Sequence, residues 1–192
     1  PLTAKGEAIR AALFKAPAAR GAAAGNGEIH VAGICSASTP GGMPQVMRFA
    51  FGTEIPFTPG RVTMLLEQGP TIRRIFTAGR THSADPDFTY TGESLGRWEG
   101  DTLIVDTRAI RAGTPLVAGT LVTSGNARVV ERIRLALRKH LRIDTVVEDP
   151  VMLTRPWQYT RTYARSDQWF ERACDIDRDG QDREPDLTPP PR

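Results

Sequence analysis

The sequence predicts a mostly antiparallel β domain, a meander that closes on itself into a small barrel, with one short helix at the N-terminus. Three observations predict it. Seven or more strand-like segments follow one another at hairpin spacing from residue 61 onward. Tight Gly-Pro, Glu-Gly-Asp and Arg-Lys turn signals separate several of them. Outside residues 3–16 almost nothing carries helical periodicity, and closing such a meander removes the sheet edges that would otherwise pair with other chains.

Taken in order, TAKGEAIRAALFKA (3–16) forms one helix, with Ile9 and Leu13 one turn apart and Pro17 ending it. ARGAAAGNG is linker-like, so residues 1–28 read as a helix plus a flexible linker. From Ile29 to Gly60 the chain is rich in Pro and Gly, and reads as irregular coil with one or two short strands such as Gln45–Phe51. Arg61–Gln68, the Gly69-Pro70 turn and Thr71–Thr77 form strand, turn and strand. A loop runs from Ala78 to Leu95. Gly96–Thr107 is a hairpin turning at Glu99-Gly100-Asp101. Gly113–Gly125 is a second loop with room for a short strand. Ala127–Leu137, an Arg138-Lys139 turn, Leu141–Asp149, Trp157–Arg165 and Gln168–Ala173 complete a single domain over residues 29–174. The acidic, Pro-rich stretch 175–192 is expected to be disordered.

A length of 192 residues suits one domain with a real core and is marginal for two. Apolar residues at 40% and charged residues at 24% are ordinary globular values. The net charge is +3, and the arginines are spread over many segments rather than gathered with aromatic partners, which argues against nucleic acid. No apolar run has the length of a membrane span. The sequence begins at Pro1, which is compatible with a trimmed leader. Cys35 and Cys174 lie near opposite ends. In an oxidising compartment they would close a long loop and stabilise the fold by roughly 3–5 kcal/mol; two buried free thiols are the alternative, and the placement favours the bridge.

Alternation along the strands sorts the polar groups. Val129, Glu131, Ile133, Leu135 and Leu137 share one face, opposite Arg128, Arg132 and Arg134. Glu131 is thus a carboxylate in an apolar row and needs a cation or a donor. Trp157, Tyr159, Arg161 and Tyr163 share another inward face, so an Arg161–Glu131 pair with tyrosine hydroxyls nearby is expected. Such a pair fixes strand register at least as readily as it catalyses. In the Ala78–Leu95 loop, His82, Asp85, Asp87, Tyr90 and Glu93 cluster. The loop is either a plain surface turn or a flap over the barrel mouth, with His82 as base and Asp85 orienting it. Trp98 reads as core, and Asp106 could face either side. The three histidines, His30, His82 and His140, lack zinc-ligand spacing, and neither a phosphate loop nor Gly-x-Ser-x-Gly occurs. Asp175, Asp177 and Asp179 begin like a calcium loop with Asp186 at the twelfth position, but Pro185 and the LTPPPR end forbid a following helix. A solvated tail is the preferred reading and calcium the minor one.

Several motifs then recur together: Thr58-Pro-Gly-Arg-Val62, Ile72-Arg-Arg-Ile-Phe76, Gly79-Arg80 with His82, and Asp85-Pro-Asp87. The most specific is Gly96-Arg-Trp-Glu-Gly-Asp-Thr-Leu-Ile-Val-Asp-Thr107. Val130-Glu131-Arg132, Glu148-Asp-Pro150, Pro156-Trp157, Arg161-Thr-Tyr163, Cys35 before Gly42-Met43-Pro44, and Cys174 after the last strand complete the set. With these, the stretch from Thr58 to Tyr163 resembles a large family of exported bacterial proteins to which no agreed activity attaches. The resemblance implies export to the periplasm or beyond, a lipocalin-like barrel, and, since such proteins look common in bacteria that degrade aromatic and terpenoid compounds, a small hydrophobic ligand. The chain departs from the pattern at Ser83, where the family often has Pro after His.

The functional expectation is a cofactor-independent, metal-free acid/base enzyme, a lyase or isomerase, acting on a small, largely apolar molecule inside the barrel. His82 or Glu131 would remove a proton, with Asp85 at the mouth, while Arg161 and a tyrosine stabilise the oxyanion. Tyr159, Tyr163, Trp98, Tyr90 and Trp157 would line the substrate. The alternative is a periplasmic binding or carrier barrel in which Arg161 anchors a carboxylate or hydroxyl. A third reading makes the polar cluster a register-setting network alone. Homo-oligomerisation is left open.

Overall fold

A computed structural model describes residues 1–15, 42–48, 52–66, 71–117, 121–136 and 140–167. Helix α1 (Ala4–Lys15) is capped by Thr3, whose hydroxyl accepts the Gly6 amide at 3.0 Å and donates to the Val151 carbonyl at 2.7 Å. The cap therefore also docks the helix onto the segment after the tenth strand. The strands are β1 (Thr53–Glu54), β2 (Phe57–Thr58), β3 (Arg61–Leu66), β4 (Thr71–Phe76), β5 (Glu93–Glu99), β6 (Thr102–Arg108), β7 (Pro115–Val117), β8 (Leu121–Val122), β9 (Arg128–Ala136), β10 (His140–Glu148) and β11 (Trp157–Ala164).

The fold is mostly β, with one short N-terminal helix and a strongly curled, half-barrel sheet. Its strand order is β1-β3-β4-β5-β6-β9-β10-β11, with β2 also on β3; β7 and β8 make a separate ribbon. Alternation is clean where predicted: Val62, Met64 and Leu66 are buried in β3, and Val129, Glu131 and Ile133 in β9. The hairpin at Glu99–Thr102 and the β9–β10–β11 pairings are antiparallel as expected.

Four expectations are corrected. The meander breaks between β4 and β5, which run parallel through Ile75–Ser94 and Phe76–Leu95. A parallel neighbour needs a crossover rather than a tight turn, and residues 77–92 supply it. Gln45–Arg48 is a 3-10 turn, not a strand, with Val46 and Met47 buried. Leu135 is exposed, because β6 pairs with β9 only as far as Arg134 and leaves the end of β9 covered on one side only. Trp98 is not core: it is 51% exposed and packs on the still more open Phe57 ring at 6.2 Å. β4 stops pairing with β5 at Leu95, so the rest of β5 has a neighbour on one side only.

The main core gathers Met43, Met47, Val62, Met64, Ile75, Val105, Ile110, Leu116, Val129, Ile143, Val147 and Met152 on the concave side of the sheet. The 3-10 turn thus packs into the curl. No helix among the described residues is long and apolar enough to cross a membrane. Leu137, Cys35, Cys174, the segment 168–173 and the aspartates 175, 177 and 179 fall outside the described residues.

Candidate functional site

Pairing fixes which residues meet on the concave face. Val105, Glu131, Thr145 and Tyr159 form one row across β6, β9, β10 and β11. Leu103, Ile133, Ile143 and Arg161 form the adjacent row, and Thr107, Val129, Val147 and Trp157 the row on the other side. Glu131 is fully buried in the middle of this apolar ground.

Its cation is Arg73, not Arg161. The Arg73 guanidinium, 1% exposed, donates to Glu131 Oε2 at 2.5 Å. It also donates to Thr107 Oγ1 at 3.0 Å and to Ser94 Oγ at 3.2 and 3.3 Å, and it lies 3.0 Å from Met47 Sδ. Two buried charges tolerate low dielectric only when paired and hydrogen-bonded in this way. Sequence reasoning missed Arg73, Ser94 and Thr107. The signal was present, since Thr71, Arg73 and Ile75 alternate onto one face with Arg73 between residues that prefer burial.

The expected aromatic face of β11 is present. Trp157 packs on Tyr159 at 4.8 Å, the Arg161 guanidinium lies 4.5 Å above the Tyr159 ring, and Tyr163 Oη donates to the Met47 carbonyl at 2.5 Å. Burial pushes the Tyr159 phenol up, against the opposing pull of the Arg161 charge, and Glu131 adds to the rise. Tyr163 is also pushed up by burial, again opposed by Arg161. Thr145 sits opposite Tyr159 and favours its phenolate slightly, yet no hydrogen bond closes between them. Three polar atoms here are buried without a hydrogen-bond partner: Glu131 Oε1, Tyr159 Oη and Arg161 Nη1. Leaving such an atom unsatisfied costs about 1–3 kcal/mol.

His82 lies elsewhere. Its Nδ1 is 2.9 Å from Glu93 Oε2, which also accepts the Ser83 amide at 3.1 Å, and Arg80 reaches the other Glu93 oxygen at 3.3 Å. His82 Nε2 is 3.6 Å from Asp106 Oδ2. Glu93 and Asp106 precede the concave residues Ser94 and Thr107, so they point to the convex side. The expected joining of His82 and Asp85 with Glu131 and Arg161 in one site is therefore corrected: the sheet separates them. Asp85 does not orient His82; its amide bonds Ser83 Oγ at 3.2 Å, while Glu93 and Asp106 flank the imidazole. Asp85 instead borders a groove of about 310 Å³ with Phe76, Ser83, Pro86, Asp87, Thr89 and Glu93. Tyr90 belongs to neither cluster; its carbonyl accepts the Met43 amide at 2.9 Å and its ring lies under Arg111. We therefore expect His82→Gln to loosen residues 77–92, seen as faster amide exchange there, while leaving ligand binding on the concave face unchanged within twofold.

The convex face is a lattice of ion pairs. Burial raises Asp106, but hydrogen bonds and charge from Arg128 and Arg108 outweigh it and hold the carboxyl below its ordinary value. Glu93 ends low too: burial pushes it up, and the His82 hydrogen bond, the Ser83 amide and nearby charge outweigh that. Asp144 is lowered chiefly by Arg142. Each group is more acidic folded than unfolded, so its contribution is present above the unfolded value and is lost as pH falls. Stability should decline below about pH 4, and Asp106→Asn should flatten that acid limb, as read by urea unfolding across pH.

Comparison with protein-family models, with curated proteins and with solved structures finds no match for this chain. The functional reading therefore rests on the geometry above.

Proposed function

We propose that this chain binds a small, largely apolar molecule, aromatic or terpenoid-like, on the concave face of the sheet, with the ligand's polar end at Glu131, Tyr159 and Arg161. The observation that carries this is the trio of unpartnered buried atoms, Glu131 Oε1, Tyr159 Oη and Arg161 Nη1, on neighbouring rows of one face. Unpartnered groups are rare in native proteins, and a bound molecule would satisfy them. Trp157, Tyr159 and Tyr163 supply the apolar and aromatic walls that small-molecule sites favour. Closure of the curled sheet into a lipocalin-like barrel, export, and a Cys35–Cys174 bridge belong to the same proposal and rest on the sequence motifs. Protection of the outer edge of β11 from amide exchange tests the closure.

A second reading, a cofactor-independent lyase or isomerase, is favoured by one feature: Glu131 keeps one carboxylate oxygen free beside Tyr159. In that reading Glu131 takes the substrate proton, and Arg161 with Tyr159 steadies the oxyanion. His82 and Asp85 take no part. The other Glu131 oxygen is already held by Arg73 in a buried ion pair, which suits a fixed binding group and places binding ahead of chemistry.

The test is native mass spectrometry of the unreduced protein with a panel of small aromatic, terpenoid and keto compounds, followed by product mass and chirality. Compounds retained and recovered unchanged are the expected result. A product, including one of inverted configuration at constant mass, would establish the enzyme. Retention of none would sink both readings.

A further inference from the structure

The concave site has a charge that the buried pair does not cancel. Arg73 and Glu131 neutralise each other. Arg161 and Arg48 both act on Tyr163 as positive charges, and neither forms a salt bridge among the described residues. On the outer face of β5, β6, β9 and β10, Arg97, Arg108, Arg128, Arg132, Arg134 and Arg142 each have a carboxylate within 4 Å. Arg161 differs from them in position as well: it lies on the inner, aromatic face, partly buried, with Nη1 shut off from hydrogen bonding.

The donor and acceptor inventory narrows this further. A guanidinium can only donate, so the group facing Arg161 Nη1 must accept. An ionised carboxylate can only accept, so the group facing Glu131 Oε1 must donate. Tyr159, between them in the pairing, can do either. A hydrocarbon or a simple ketone satisfies at most one end of this arrangement. A carboxylate placed at Arg161 supplies the acceptor and the missing charge, and a hydroxyl on the same molecule supplies the donor for Glu131.

We infer that the ligand of this site is a small hydroxy-carboxylic acid on an aromatic or terpenoid body, its carboxylate held by Arg161 and its hydroxyl donating to the free oxygen of Glu131. The inference rests on the binding reading above and adds the ligand's charge and its two polar groups. A charge-assisted bond to a guanidinium is stronger than a neutral one, so the acid must bind better than its uncharged counterparts.

Two sets of probes test it against the intact protein at pH 7 by isothermal titration. One set is mandelate, methyl mandelate and phenylacetate. The other is perillate and perillyl alcohol, a terpenoid acid and its neutral partner. The acids should bind at least tenfold tighter than the ester and the alcohol, and mandelate several-fold tighter than phenylacetate, which lacks the hydroxyl. Arg161→Met, checked for an unchanged unfolding midpoint, should erase the acid preference by weakening the acids far more than the neutral probes. The advantage of the acids should shrink as salt rises. Neutral probes that bind as tightly as the acids would overturn the inference while leaving the binding reading intact. An acid preference that survives Arg161→Met would also overturn it. If no probe of either set binds, the inference and the binding reading fall together.

Discussion

Replacing Arg73 with methionine will destabilise the protein by about 3–5 kcal/mol, because it strands the Glu131 carboxylate in the core without its cation. Glu131 is 0% exposed, and among the described residues Arg73 provides its one close partner through Oε2. The converse variant, Glu131→Leu, strands the guanidinium, though Ser94 and Thr107 still accept from it, so the loss should be somewhat smaller. The informative variant is the double one. Arg73→Met with Glu131→Leu removes both charges and refills the volume with apolar atoms, and should recover most of the single-variant loss. Urea unfolding of the four proteins reads this directly. If the double variant is as unstable as the worse single one, the pair is not the coupled unit that its geometry describes. The double variant should also lose ligand affinity, because Glu131 Oε1 goes with the side chain; stability and binding would then be separated in one molecule.

The second large effect is expected at Gly92. Its φ of +67° lies in the left-handed region, and a Cβ built there would fall 2.5 Å from the Arg108 carbonyl and 2.9 Å from both Ile110 Cγ1 and Thr107 Cγ2. Backbone cannot move aside as a flexible side-chain tip can. Gly92→Ala should therefore cost about 2–4 kcal/mol, the left-handed strain plus the overpacking. Gly79 is the built-in control. Its φ of +74° is as strained, but nothing lies within 4 Å of its Cβ position, so Gly79→Ala should cost only about 1–2 kcal/mol. Equal losses at the two sites would remove the packing part of the argument. The position matters for the convex cluster too, since Gly92 immediately precedes Glu93, which holds His82 and Ser83. Partial disorder of residues 77–92 in Gly92→Ala, seen by amide exchange, is the associated expectation.

Much of the β architecture was legible in the residues because period-2 alternation is local. The rows Val129-Glu131-Ile133 and Trp157-Tyr159-Arg161-Tyr163 could be assigned to inner faces from the pleat alone, and both lie there. The helix Ala4–Lys15, the hairpin turn at Gly100, and strands over 61–66, 71–76, 128–136 and 140–148 likewise followed from local signals. That Glu131 must have a cation also followed, because an unpaired buried carboxylate is too costly at any position.

Which cation it takes was not a local property. Arg73 sits 58 residues away in the chain, and reaches Glu131 only because β4 pairs in parallel with β5, which carries the curl on to β6 and β9. The sequence's turn signals favour hairpins, and a two-pair parallel joint reached by a crossover leaves no short signature between residues 77 and 92. That joint likewise set β5 against β4, and the pleat put Glu93 and Asp106 on the far side of the sheet from Ser94 and Thr107. His82 and Glu131 carry the two proton-transfer chemistries one would combine from composition; the sheet's thickness keeps them apart. Exposure at Trp98 and Leu135 had the same origin, since both residues continue an inward row past the point where a neighbouring strand ends. The sequence alone determined the strand periodicity, the inward-facing polar residues and the need to neutralise them, because those depend on neighbours two residues away and on the cost of burying charge. Only the tertiary structure decided which partners met, because partner choice depends on strand order and on where each strand stops, and both are fixed by pairing over long separations in the chain.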